Sequence, residues 1–144
     1  MKKKGNVVQH NGARDTELYC VFMNLLMNSR GVALRELYGL SAKRGCSRFW
    51  VSEERAYEVV RRLRRGESFP DLTESRRRMY AEIAERVDAI MKRDPEMPLL
   101  HAVRQVVNGP APEFYLTAET VKTLVNRRRR ALKEARRERR LSQR

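Results

Sequence analysis

The densest chemistry in this chain lies between Lys122 and its carboxyl end, where the side chains are those that hold phosphates and read base edges. Lys122, Thr123 and Asn126 come first, then Arg127, Arg128, Arg129 and Arg130, then Lys133, Arg136 and Arg137. An arginine pairs in bidentate fashion with guanine and an asparagine with adenine, and any arginine or lysine can neutralise a phosphate and release its counterions. Residues 127–144 hold ten Lys or Arg against two Glu, a net +8 out of +14 for the chain. The bland alternative is a solvated tail that keeps the protein soluble; four consecutive arginines are more than solubility requires.

Other chemistry is hard to build from this sequence. His10 and His101 are its only histidines. The first falls in a basic leader and the second beside leucines, so neither is placed as a catalyst. No spacing suits metal ligands, no glycine-rich loop suits phosphates and no nucleophile motif occurs. The carboxylates sit at helix starts or at helical spacing from arginines, as Glu82 does from Arg86. The expectation is no catalytic residue, no metal and no cofactor. Cys20 and Cys46 lack a C-x-x-C and are expected to be free, buried thiols of a reducing cytoplasm. No run of 18 apolar residues is present, so no membrane span is expected, and the start MKKKGNVVQHNG lacks the apolar stretch of a secretory signal.

The elements that must position the basic residues come in two versions. FYLTAETVKTLVNRRRR (114–130) aligns without a gap on FWVSEERAYEVVRRLRR (49–65), with six of seventeen positions identical. In each, Ser52 or Thr117 reads as a helix N-cap. Glutamates fill the first turn and arginines the last, as the helix dipole favours. Apolar residues at Ala56, Val59, Val60 and Leu63, and at Val121, Leu124 and Val125, form one stripe. The first version carries Arg61, Arg62, Arg64 and Arg65 where the second carries its asparagine and arginine run, but Glu58 makes it the poorer partner for phosphate.

Read in order, residues 1–13 are expected to be a flexible basic arm and 14–66 a first helical repeat, with helices near 16–28, 33–43 and 52–65. GESFPDLT marks a linker at 67–73. A second repeat at 74–130 holds helices near 74–93, 98–107 and from 117, and 131–144 extends the last helix as a basic tail. After Ala135 nothing remains to bury, so that end should fray without a partner. No period-two pattern exceeds four residues, and the fold class is all-α: two divergent copies of a three-helix, helix-turn-helix-like module. In such a motif the second helix of a pair enters the major groove. A turn of nine residues at 108–116 would make this one a variant. Phe49-Trp50 and Phe114-Tyr115 are expected to anchor the helices, Phe49 and Phe114 inward and Trp50 and Tyr115 partly exposed; stacking on unpaired bases is the other reading.

The segment PAPEFYLTAETV (110–121), with its counterpart SRFWVSEERAY (47–57), resembles a group of small basic proteins from bacterial mobile elements and phages. The resemblance implies a setting and carries no activity. With the charge, it gives the expectation of a DNA-binding regulator or accessory factor, duplex DNA favoured over RNA. A packaging component that oligomerises through its helical body and an RNA-binding protein are the alternatives.

Overall fold

Caps and breakers set the element boundaries. The structure, a computed structural model, describes the backbone of residues 2–143 and the side chains of residues 11–143. Its helices are α1 (Lys2–Asn28), α2 (Leu34–Ala42), α3 (Glu53–Arg64), α4 (Glu74–Arg93), α5 (Leu99–Val107) and α6 (Ala118–Ser142). The fold is all-α; among the described residues the β pairing is one isolated bridge, Cys46 with Ala111. Ser52 caps α3 by accepting from the Arg55 amide, and Thr117 caps α6 by accepting from the Thr120 amide. Gly66, at φ 86°, closes α3 with paired bonds, Gly66 N to Leu63 O and Glu67 N to Arg62 O. That is the left-handed stop glycine favours.

Two helices run further than the residue pattern suggests. In place of a flexible arm through residue 13, α1 is helical from Lys2. Leu18 and Phe22 are fully buried and fix the later turns; extending a nucleated helix adds one hydrogen bond per residue, and no proline intervenes. Gly12 is tolerated inside the helix, where its carbonyl also accepts from the Thr16 hydroxyl. In place of fraying after Ala135, α6 continues to Ser142. Six of the seven residues from Arg136 to Ser142 are Arg, Glu or Leu, all good helix formers.

Packing order differs from chain order. α1 and α2 pack against each other and against α6, while α4 and α5 pack against each other and against α3. The third helix of each half therefore serves the other half. The crossing is held by backbone bonds: Cys46 and Ala111 each donate to the other's carbonyl at 3.0 Å, Phe49 N donates to Val107 O at 3.0 Å, and Phe114 N donates to Ala42 O at 3.0 Å. The donors Phe49 and Phe114, the acceptors Ala42 and Val107, and the bridging pair are all separated by 65 positions, the offset of the sequence alignment.

Burial follows the same offset. Among the described residues, eleven of the first half are buried: Leu18, Phe22, Leu37, Tyr38, Ser41, Ala42, Cys46, Phe49, Ala56, Val59 and Val60. The residue 65 positions after each is buried too, from Ile83 to Val125. The second half adds three more buried residues, Met79, Tyr80 and Tyr115, without a buried counterpart.

Phe49 and Phe114 are both core residues, 0% and 3% exposed. Phe114→Ala is expected to cost about 3–5 kcal/mol in chemical denaturation, a large share of the stability of a small domain. A variant that kept its denaturation midpoint but lost single-strand binding would instead make Phe114 a stacking platform.

Candidate nucleic-acid interface

α6 has a buried first half and an exposed second half. Val121, Leu124 and Val125 are buried against α1 and α2. From Arg127 to Gln143 every residue is exposed except Leu132 and Ala135, which are half-buried. At 1.5 Å per residue, the helix beyond Asn126 carries its charges over roughly 24 Å.

The base-edge candidates sit on the outward face of this helix. Lys122 and Thr123 are exposed and Asn126 is half-buried. The Thr123 hydroxyl donates to Glu119 O at 3.1 Å, so that donor already has a local partner. Arg127, Arg128, Arg129, Arg130, Lys133, Arg136 and Arg137 are all exposed. Among the described residues, no basic side chain of α6 makes an ion pair.

The arginines of α3 are different. Arg61 pairs with Glu58 at 3.0 Å, Arg62 pairs with Glu67 at 3.3 Å and lies over the Phe69 ring, and Arg64 pairs with Asp88. Arg65 is exposed and outside these pairs. Surface pairs contribute about 0–1 kcal/mol each, so they do not lock these side chains, but they cancel the local field that would attract a phosphate. The structure thus separates the sequence candidates into an uncompensated set on α6 and a largely compensated set on α3. α5 and α6 do not pack against each other, so they are not the two helices of a helix-turn-helix; α6 lies on α2 and α1. The ten-residue connection, 108–117, carries α6 across to the other half, a destination that local sequence does not reveal.

The aromatic anchors depart from expectation at one position. Trp50 is half-buried, but Tyr115 is only 8% exposed. Tyr115 has φ 57°, a left-handed conformation that costs on the order of 1–3 kcal/mol for a non-glycine residue. It turns the ring onto Phe49, stacked at 6.0 Å, with the Arg78 guanidinium 5.6 Å from its centroid. Burial pushes its hydroxyl pKa up to about 12. The neighbouring Glu113 holds the segment in place, accepting from Arg78 at 2.9 and 3.1 Å and pairing with Lys43 at 3.7 Å. Arg86 pairs with Glu82 at 2.9 Å, as their spacing suggested, and also donates to Pro110 O at 2.8 Å.

The two cysteines do not share an environment. Cys46 is buried as expected, its thiol donating to Arg48 O and Glu113 O. Cys20 is exposed, because it lies about 200° around α1 from the buried Leu18. Burial pushes the Cys46 thiol up to about 11, helped by Glu17. At pH 8 its thiolate fraction should be on the order of a hundredfold below that of an ordinary cysteine. Maleimide mass labelling is expected to add one group quickly, at Cys20; rapid double labelling would contradict the buried position of Cys46.

His101 is exposed, and the side chain of His10 lies outside the described residues. Among the described residues no helix is long and apolar enough to cross a membrane. No protein-family model, curated protein or solved structure matches this chain.

Proposed function

We propose that this protein is a non-enzymatic DNA-binding protein of the bacterial cytoplasm, a regulator or accessory factor in a phage or mobile-element setting, with α6 as its main contact element. The observation that carries the reading is the long exposed run of α6, whose basic side chains make no ion pair among the described residues. A positive field left uncompensated along one helix attracts a polyanion. In this reading the chain is two copies of one helical module that have exchanged their third helices. The helix pair of the helix-turn-helix-like reader is then α2 with α6, held by α1. Arg61, Arg62, Arg64 and Arg65 on α3 are secondary phosphate contacts.

Asn126 and Arg129 are the proposed base readers, beside Lys122. Replacing either by Ala is expected to cost about 1–3 kcal/mol on the preferred duplex and to relax specificity at one position. Selection from a randomised duplex library supplies the sequence, and titration of both variants measures the loss. An equal loss on every sequence would reduce them to phosphate contacts. Tighter binding to structured RNA than to any duplex would move the assignment to RNA.

A further inference from the structure

A cleft of about 870 Å³ opens between the two aromatic anchors, walled by α3, α4 and α5 and touched by α1 at Asn11 and Arg14. That lies within the roughly 300–1,000 Å³ range of small-molecule sites. Trp50, Met79, Tyr80, Phe114 and Tyr115 are among its lining residues. Met79, Tyr80 and Tyr115 are the three buried residues that break the correspondence of burial between the halves. At the same offset in the first half stand Arg14, Asp15 and Trp50. The two halves therefore diverge in burial at this cleft.

Two features of this cleft are costly to the fold. Tyr80 is 1% exposed, and its hydroxyl has no hydrogen-bond partner among the described residues; buried polar groups normally have one. Tyr115 holds the left-handed φ of 57° described above. Strained residues and unsatisfied groups gather where a ligand completes the site. The rim supplies charge. Arg55 and Arg76 line the cleft, are exposed and make no ion pair among the described residues. Of the rim glutamates, Glu53 is held by Arg104 and Glu58 by Arg61, which leaves Glu54 as the one without an ion pair among the described residues, against these two arginines.

We propose that this cleft binds one unstacked nucleotide: the base lies among the aromatic rings and accepts from the Tyr80 hydroxyl, and the phosphate sits at Arg55 and Arg76. Aromatic walls suit any base face, a buried hydroxyl suits a base-edge acceptor, and arginine suits phosphate. The inference deepens the nucleic-acid reading and rests on it for the source of the ligand, since a free nucleotide and a nucleotide within a single strand share this chemistry.

Trp50 is the chain's single tryptophan, so its emission reports on the cleft. The full chain is titrated with AMP, with TMP, with a twelve-residue single strand and with the matching duplex. Saturable quenching by the single strand is expected, in the full chain and equally after deletion of residues 131–144. Quenching by the mononucleotides as well assigns free nucleotides as sufficient ligands; quenching by the strand alone assigns the strand. Tyr80→Phe is expected to weaken quenching about tenfold, the loss of one hydrogen bond, while its melting temperature holds or rises because the unsatisfied hydroxyl is gone. Undiminished binding by Tyr80→Phe, or Trp50 emission that ignores every mononucleotide and single strand, overturns the proposal. Duplex binding through α6 would survive that result, so the two failures are distinguishable.

Discussion

Residues 1–66 and 67–144, made as two separate chains, are expected to be largely unfolded alone and to fold as a one-to-one complex when mixed. α1 and α2 bury Leu18, Phe22, Leu37 and Tyr38, and the third helix packed on them is α6, which the first fragment lacks. α4 and α5 bury Ile83, Val87, Ala102 and Val103, and their third helix is α3, which the second fragment lacks. Each fragment does hold a substitute, since α3 and α6 share one apolar stripe. The substitutes fit badly. Ala56 and Val59 in place of Val121 and Leu124 would leave a void, and the reverse exchange would overpack, at about 1–3 kcal/mol or more either way. Losses of that size are decisive for helical fragments of this length. Circular dichroism and solution mass of each fragment, then of the mixture, read the outcome. Two fragments that each fold as stable monomers would contradict the exchange of helices.

The residues that made the elements legible were the ones with local jobs. Ser52 and Thr117 cap their own helices, Gly66 stops its own helix, and Glu82 meets Arg86 one turn away; all of this is written within a few residues. The 65-residue offset was visible over 49–65 and 114–130, and burial carries it back to Leu18 and Ile83. There the identities differ, Phe22 against Val87 and Tyr38 against Val103, so apolar character persists while residue type does not.

What the sequence hid was every choice of distant partner. A stripe on α6 says that a core must cover it, not whose core, and the backbone bonds of Phe49 to Val107 and Phe114 to Ala42 have no side-chain signature. The burial of Tyr115 depends on a left-handed φ, which a tyrosine does not advertise. The candidate interface was more legible on α6 than on α3. Charge on α6 needs no partner to be recognised, whereas Arg64 meets Asp88 only through packing. The cleft was not legible, because Arg55, Arg76 and Tyr80 come together only in the fold.

Deleting residues 131–144 is expected to weaken DNA binding strongly while leaving the fold in place. The deletion removes six basic side chains and two glutamates, and among its described residues only Leu132 and Ala135 are half-buried. Its melting temperature should move little, because a segment that buries almost nothing stabilises little. Specific and non-specific duplexes should weaken together, since phosphates look alike in both. Each phosphate contact contributes about 0.9 to the slope of log affinity against log salt. If all six basic side chains reach phosphates, the slope becomes shallower by about 5 units; if three do, by nearly 3.

The most direct measurement is therefore that slope, taken by fluorescence anisotropy on one labelled duplex across a series of salt concentrations, for the full chain and for residues 1–130. A steep slope for the full chain that flattens by about 3–5 units on truncation is the predicted result. A slope that is shallow in the full chain, or unchanged by the deletion, would contradict the assignment of α6 as the element that holds DNA.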